Sequence, residues 1–248
     1  MEDLWFKFTS FASKTILHPQ YFLKTYEQYA IEKTKRYAKG ILVDIGCGRQ
    51  PYKKELQPFV KKYIGIDHPK TSLKYKTEEK PDILADAANL PLPNNYCETV
   101  IMISVLEHLK DPLSALREAF RILKKDGAFI LTTVQCYPLH DVPFDYFRYS
   151  KFSLKELLQK SGFKNVSIKT SGSFPILIGQ FTNVFLFYKI KDLKNKSKVL
   201  LFLSVPFILI ALIIAFLNNL ITYGLATIIK DDKYGTFSLH QTVIARKK

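Results

Sequence analysis

Between residues 41 and 170 the sequence alternates short apolar runs with helical stretches, and only a few folds accommodate that pattern. The runs are continuously apolar rather than alternating, which is typical of strands that helices cover on both faces. Because strands separated by helices form βαβ units, the pattern predicts an α/β fold with a parallel sheet. The predicted strands are residues 41–45, 62–67, 81–84, 100–103, 128–132, 166–170 and 237–245.

The chain divides into four segments by composition. Residues 1–40 are predicted to form an N-terminal helical segment, because aromatic residues recur there at three- and four-residue steps. Residues 41–173 form the α/β core, and residues 174–230 form an apolar helical insertion. Residues 231–248 contain the last strand of the core and a basic tail.

Capping residues mark two helix starts in the core. Asp111 followed by Pro112 predicts a helix that begins at Pro112. Ser153 and Glu156 have the spacing of a capping box, which predicts a second helix that begins at Ser153.

The charge balance is strongly basic, with 37 Lys and Arg against 22 Asp and Glu and a formal net charge of +15. Such a chain is expected to meet an anionic partner: nucleic acid, a membrane surface or a phosphorylated substrate. The sequence has no basic-aromatic RNA motif, which disfavours nucleic acid. Cys47, Cys97 and Cys136 lack metal-ligand spacing, so no metal site is expected, and their odd number disfavours a disulfide framework. We expect a reducing, cytoplasmic compartment and no signal peptide, because acidic residues stand near the amino terminus.

A glycine turn follows the first predicted strand. Gly46 and Gly48 let the backbone turn sharply and let a ligand approach without interference from Cβ atoms. A dinucleotide-binding turn would have a third glycine where Pro51 stands, so a pyrophosphate ligand is disfavoured. Asp67, at the end of the second strand, can accept hydrogen bonds from both hydroxyls of a ribose; the alternative is that it caps the next helix.

Four motifs in chain order resemble those of class I S-adenosylmethionine-dependent methyltransferases, and most of all the broad small-molecule group of type 11. The motifs are residues 43–48, 65–67, 86–93 and 104–109, each at a strand end. The resemblance runs from residue 36 to residue 173 and resumes at the last strand. It implies a Rossmann-like sheet, mostly parallel with an antiparallel last strand, and S-adenosyl-L-methionine as cofactor.

The resemblance also implies which residues contact the cofactor. The backbone of Gly46, Cys47 and Gly48 would pass under its methionine part. The other implied contacts are Asp44 at the methionine amino group, Asp67 at the ribose, Asp86 and the Ala87 backbone at the adenine, and the Ser104 carbonyl near the ammonium. Gln50 is a departure, because many family members carry a third glycine there.

The loop after the fifth strand carries the candidates for the methyl acceptor. His140 is a candidate general base, and Asp145, Tyr146 and Arg148 are candidate substrate-binding residues, with Arg148 holding an anionic group. The alternative is structural: Asp145 pairs with Arg148, and the aromatic residues pack under the next helix. His108, after the fourth strand, is expected to be architectural more often than catalytic.

The insertion contains apolar stretches that a helix could carry into a membrane. Residues 199–217 are apolar except for Ser204 and Pro206, and nineteen helical residues cover about 28 Å against a hydrocarbon core of about 30 Å. A single crossing would separate the last strand from its sheet. A two-span hairpin of residues 174–188 and 199–217 would send the five lysines of residues 189–198 outward, against the positive-inside tendency.

Two interpretations of the insertion remain, beside a true span. It is a peripheral or monotopic element whose lysines meet anionic headgroups at the inner face of the membrane, or it is a soluble cap or dimer interface. Pro206 and Asn218-Asn219 are the expected break points for folded-back helices.

These features predict a methyltransferase that acts on a small-molecule, lipid or lipid-linked glycan acceptor at a membrane surface. One alternative is a soluble methyltransferase for a sugar or another metabolite, with the insertion as a lid. Another is a non-catalytic, membrane-associated module with the same fold.

Overall fold

The structure is a computed structural model that describes residues 15–72, 80–196, 205–231 and 233–248. The chain forms two units. The sheet unit comprises residues 27–135, 139–170 and 240–248. The helical unit comprises the described residues up to 26, residues 136–138 and the described residues from 171 to 239.

The sheet has seven strands in the order β3-β2-β1-β4-β5-β7-β6. β1 pairs in parallel with β2 and β4, β2 with β3, and β4 with β5, whereas β7 runs antiparallel to β5. The predicted fold class is therefore confirmed. In chain order the strands are β1 (Ile41–Ile45), β2 (Lys62–Asp67), β3 (Ile83–Leu84), β4 (Cys97–Ile103), β5 (Leu123–Val134), β6 (Asn165–Ser171) and β7 (His240–Arg246).

Seven α-helices lie within the residues that the structure describes. They are α1 (Tyr21–Tyr37), α2 (Lys53–Leu56), α3 (Pro69–Ser72), α4 (Pro112–Ile122), α5 (Lys151–Lys160), α6 (Phe174–Lys196) and α7 (Val205–Ile228). Short 3₁₀ turns cover Gln57–Phe59 and Leu106–His108. The part of the predicted N-terminal helix before residue 15 lies outside the described residues.

One of the two predicted helix starts is correct and the other is wrong. Asp111 caps α4 as predicted, because its Oδ1 accepts a hydrogen bond from the Ser114 amide at 3.0 Å. Helix α5 begins at Lys151 instead of Ser153. The Ser150 hydroxyl accepts from the Ser153 amide at 3.3 Å, so Ser150 is the capping residue in place of Ser153.

Successive residues of the central strands point to opposite faces of the sheet, and each face has its own apolar core. One core combines Val43, Val100 and Phe129 with side chains of α4 and α5. The other combines Leu42 and Ile101, among others, with side chains of α1 and α2. Helices therefore cover both faces, which explains why the strand sequences are continuously apolar.

The helical unit is built on α6 and α7, which we call the helical pair. The Asn183 amide group donates to Asn219 Oδ1 at 2.8 Å, and the Asn218 amide group donates to the Gly179 carbonyl at 2.8 Å. Gly179 lies against Thr222, because a Cβ atom on Gly179 would be 2.2 Å from Thr222 Oγ1. Gly179 precedes Asn183 on α6 whereas Thr222 follows Asn219 on α7, so the two helices run antiparallel. The predicted break at Asn218-Asn219 is wrong: α7 continues through both residues, because their side chains bond to α6 and leave their own backbone helical. Pro206 stands in the first turn of α7, where proline is tolerated.

We predict that Phe163→Ala lowers the free energy of unfolding of the sheet unit by about 3–5 kcal/mol. Phe163 is fully buried, with its ring stacked 5.0 Å from that of Phe129 and edge-on 5.1 Å from that of Phe120, so truncation leaves a cavity that rigid rings cannot fill. Urea unfolding followed by circular dichroism measures the change. Phe152→Ala is the control, since that ring is 62% exposed and its loss should change stability by less than about 0.5 kcal/mol. Equal effects of the two substitutions would contradict this description of the core.

Candidate functional site

The glycine turn after β1 is held in a backbone conformation that requires glycine. Gly46 has a φ of 74° and Gly48 a φ of 53°. A Cβ atom on Gly46 would lie 2.4 Å from Val105 Cγ2, so the turn also has no room for a side chain. The amides of Gly46 and Cys47 both donate to the Ile66 carbonyl, at 2.8 and 3.0 Å, and this ties the turn to β2.

Asp67 connects the glycine turn to the end of β2. Its Oδ2 accepts from the Gly48 amide at 2.6 Å, and its Oδ1 accepts from the His68 amide and the Thr71 hydroxyl, each at 2.6 Å. The carboxylate thus lies between the turn and the start of α3, where it bonds to the Thr71 side chain but to no backbone amide of the helix, so the capping alternative stays a prediction. Its role as a ribose ligand stays a prediction.

Asp44 is a buried carboxyl group next to the same turn. It is 2% exposed and accepts a hydrogen bond from the Tyr63 hydroxyl. The pKa of Asp44 is raised to about 7, because the effects of burial and of the nearby charge of Asp67 outweigh the opposing effect of the Tyr63 hydrogen bond. Burial also raises the pKa of the Cys47 thiol, which disfavours a nucleophilic role for that residue.

The remaining predicted cofactor residues follow β3 and β4. Asp86 is exposed, its Oδ1 accepts from the Ala88 amide at 2.9 Å, and Ala87 is buried. Ser104 has a φ of 54°, which is unusual for a residue with a side chain and is a form of backbone strain that clusters at functional sites. All of these residues stand at the carboxyl ends of strands, where open α/β sheets bind ligands.

Glu27 is a site residue that the sequence did not reveal. Its carboxylate accepts from the Ser104 hydroxyl at 3.2 Å and from the Tyr52 hydroxyl at 3.4 Å, and it is 6% exposed. Glu27 belongs to α1, which precedes the motifs of the core. The sequence showed only that Glu27 is an acidic residue among the aromatic residues of a predicted helix. An acidic residue on a solvent-exposed helix face would give the same pattern.

The acceptor loop is organised around Asp145, whose side chain is 1% exposed. Its Oδ2 accepts from the His140 amide at 2.9 Å and lies 3.2 Å from His140 Nδ1, and Arg148 binds both carboxylate oxygens at 2.6 and 2.7 Å. Burial alone would raise the pKa of Asp145, but the hydrogen bonds from Arg148 and His140 outweigh it and hold the pKa at about 2. The structural pairing of Asp145 with Arg148 is therefore present. Tyr149 is buried as the packing alternative predicts, whereas Tyr146 is 37% exposed.

Comparison with known proteins gives this site a family context. Residues 43–131 match the family model described as a methyltransferase domain. A relative from Mycolicibacterium smegmatis, described as a probable S-adenosylmethionine-dependent methyltransferase, is 26% identical over 58% of this chain and 60% of its own length. The 2-methyl-6-phytyl-1,4-hydroquinone methyltransferase of Spinacia oleracea is 28% identical over 69% of this chain and 54% of its own length. The chain thus spans between half and two thirds of the length of these relatives.

Solved structures share the fold at low sequence identity. A methyltransferase from Archaeoglobus fulgidus, 18% identical, superposes with a TM-score of 0.51 over 89% of this chain and 94% of its own. The cyclase SpnF, also 18% identical, gives 0.57 over 90% of this chain and 80% of its own. Because a cyclase and a methyltransferase share this architecture, the fold does not by itself define the reaction.

We predict that Asp67→Asn weakens binding of S-adenosylhomocysteine by about 10- to 100-fold, because charge-assisted hydrogen bonds contribute about 1.5–3 kcal/mol each. Isothermal titration calorimetry measures the affinity. Asp111→Asn makes the same chemical change at the start of α4, keeps a good capping residue there, and should bind as the wild type does. Unchanged affinity in Asp67→Asn would remove this residue from the cofactor site.

We predict that S-adenosylhomocysteine binds more tightly as the pH rises from 5.5 towards 7, by up to about tenfold per pH unit. The pKa of Asp44 lies near 7 in the free protein, so at lower pH the ligand's ammonium group must displace a proton to gain an ionised partner. Calorimetry at pH 6 in two buffers of different ionisation enthalpy should show proton release. Asp44→Asn should abolish the release; a release that persists in this variant would assign it to another group.

Proposed function

This chain carries a methyltransferase domain of the class I S-adenosylmethionine-dependent type, and we propose that it methylates a lipid-tailed acceptor at the inner face of a membrane. The cofactor provides a methyl group on a sulfonium, which already contains a good leaving group. The protein must therefore hold the acceptor in line with the methyl group and exclude water. The glycine turn, Asp44 and Asp67 are the residues that we assign to the cofactor.

The observation that carries this proposal is the inverted distribution of side chains on the helical pair. In α7 the buried positions include Ala215, Asn219 and Thr222. In α6 the residues facing α7 are Gly179 and Asn183, as their hydrogen bonds and close contacts show. Most of the large apolar side chains that the structure describes on the pair are exposed, among them Ile178, Phe181, Phe185, Ile210, Ile213, Ile214, Leu217, Ile221, Leu225 and Ile228.

Such an arrangement is unfavourable in water and favourable in lipid. A helix of a water-soluble protein turns its large apolar residues towards the core, whereas helices in lipid pack through small residues and polar hydrogen bonds. Residues Ile210–Ile228 have a mean hydropathy of 1.7, and 17% of them are buried. The exposed apolar surface of the helical pair is therefore suited to burial among the acyl chains of a membrane.

The charges in the last part of α6 and directly after it favour the cytoplasmic face of an anionic membrane. The segment between the two apolar stretches contains five lysines and one aspartate: Lys189, Lys191, Asp192, Lys194, Lys196 and Lys198. Each lysine near an anionic surface contributes about 1 kcal/mol, and positive segments remain on the cytoplasmic side. A monotopic attachment satisfies both tendencies, because the lysines need not cross.

The acceptor class follows from the attachment and from one relative. The name of the spinach relative describes a hydroquinone with a phytyl tail, a molecule whose tail would lie in a membrane. An enzyme attached to the membrane surface can reach the hydroquinone ring of such a molecule. The relative therefore supports a hydroquinone-like or other lipid-tailed acceptor for this chain.

The double variant Ile213→Glu/Ile221→Glu tests the attachment. Both side chains are more than half exposed, at 57% and 63%, so the substitutions leave the fold intact. We expect binding to phosphatidylcholine vesicles that contain phosphatidylglycerol to fall at least tenfold in cosedimentation, because two apolar side chains leave the bilayer and two charges oppose insertion. Phe59→Glu/Phe152→Glu places the same charges on exposed positions of the sheet unit and should sediment as the wild type does.

The same variants, incubated with methyl-labelled S-adenosylmethionine and membrane extract, test the acceptor. Wild-type protein should label the organic phase, and Asp67→Asn provides the background. In the double variant the label should fall while S-adenosylhomocysteine still binds. Label confined to the aqueous phase would favour the soluble enzyme with a lid, and no label despite cofactor binding would favour the non-catalytic module.

A further inference from the structure

Three side chains with metal-binding chemistry come together at the carboxyl ends of β4 and β5. Glu107 and His108 belong to the 3₁₀ turn after β4, and His140 belongs to the loop after β5. One ligand atom from each residue lies within 4.8 Å of the other two. Metal–nitrogen and metal–oxygen distances are about 2.0–2.2 Å, so small side-chain movements bring all three atoms to a common centre.

Both histidines are oriented as metal-binding histidines usually are. His108 Nδ1 lies 2.7 Å from the Phe144 carbonyl oxygen, and only a protonated nitrogen can make that contact. His140 Nδ1 lies 3.2 Å from Asp145 Oδ2, and Arg148 fixes that carboxylate. A histidine that donates from Nδ1 to a carbonyl or carboxylate presents the lone pair of Nε2 to a metal, and such outer partners are a regular part of metal sites.

The side chain of Glu107 provides a second, independent indication that this cluster can bind a cation. The residue is fully buried, and its Oε2 accepts from the Thr133 hydroxyl at 2.7 Å. Its Oε1 is buried without a hydrogen-bond partner among the described residues. A buried carboxylate oxygen without a partner is unfavourable, and a bound cation would remove that penalty.

We propose that Glu107, His108 and His140 bind a divalent transition-metal ion of the Zn²⁺ type, and that the ion holds an oxygen of the methyl acceptor. Two imidazoles and one carboxylate favour Zn²⁺ or Fe²⁺ over Mg²⁺ and Ca²⁺, which prefer all-oxygen sites. Three protein ligands leave at least one position open for a further ligand. Sequence spacing did not reveal the site, because the two halves of the cluster are 32 residues apart.

The role in the reaction rests on the function proposed above. An acceptor hydroxyl bound to the ion ionises more easily, and its proton passes to water. The oxygen then forms its bond to the methyl carbon as the bond from that carbon to sulfur breaks, with the electron pair remaining on sulfur. In this assignment His140 is a ligand and does not act as the general base.

Binding of Co²⁺ to the full-length, chelator-treated protein tests the site without cofactor or acceptor. We expect a visible d–d spectrum that saturates at one Co²⁺ per chain and is displaced by Zn²⁺. His140→Gln and His108→Gln should each raise the dissociation constant at least 100-fold, and Asp145→Asn about 10- to 100-fold through the outer shell. His68→Gln, outside the cluster, should bind as the wild type does. If a histidine variant does not fold, Glu107→Gln is measured in its place, because it also removes one of the three metal ligands.

Two results would overturn the proposal. One is the absence of a saturable d–d spectrum in the wild type, and the other is binding that the ligand variants leave unchanged. Cofactor binding, measured on the same samples with S-adenosylhomocysteine, separates this proposal from the proposed function. A metal that binds to a protein unable to methylate any acceptor would reject the function and keep the site.

Discussion

The hydrogen bond from the Gly48 amide to the Asp67 carboxylate is the interaction on which the candidate site depends. It joins the turn after β1 to the end of β2, so the glycine backbone and the acidic side chain are held in one geometry before any ligand arrives. The parallel sheet makes this possible, because it brings the carboxyl ends of neighbouring strands to the same edge. The left-handed backbone at Gly46 and Gly48 is the cost of that geometry, and glycine keeps the cost low.

Three buried carboxyl groups at this edge differ in how their charge is balanced. Asp145 has Arg148 as a full partner, and its pKa is low. Asp44 has a neutral hydroxyl as its hydrogen-bond partner and a pKa raised by burial. Burial raises the pKa of Glu107 as well, and one of its oxygens has no partner within the described residues. The first group is complete as a structural element, whereas the other two would gain from a cationic ligand: an ammonium group at Asp44 and a metal ion at Glu107.

The helical unit follows a different rule from the sheet unit. In the sheet unit, strands and helices bury their large apolar side chains against one another. In the helical pair, asparagine, glycine and threonine occupy the contact, and the large side chains face outward. Asn219 also donates to the carbonyls of Ile16 and His18, at 2.7 and 3.1 Å, so the same polar group ties a preceding segment to the helices. A polar contact and an apolar exterior are expected where the surroundings are lipid.

Much of the architecture could be predicted from local sequence. Apolar runs marked the positions of the strands, and the order of the methyltransferase-like motifs placed Gly46, Gly48 and Asp67 at one edge of the sheet. Local rules sufficed because strand formation and glycine turns depend on neighbouring residues. They failed at the start of α5, where Ser150 competed with Ser153 for the same capping role, and at Asn218-Asn219, which a local rule treats as a helix break.

By itself, the sequence determined the α/β class, the glycine turn and the apolar character of the insertion, because each depends on residues that are neighbours along the chain. The tertiary structure alone decided that Glu27 reaches Ser104, that Glu107 and His108 meet His140, and that the asparagines of α7 face α6. These contacts join residues that lie 77, 32 and 36 positions apart. No local pattern encodes such pairs, since they exist only once the strands and helices that carry them have packed.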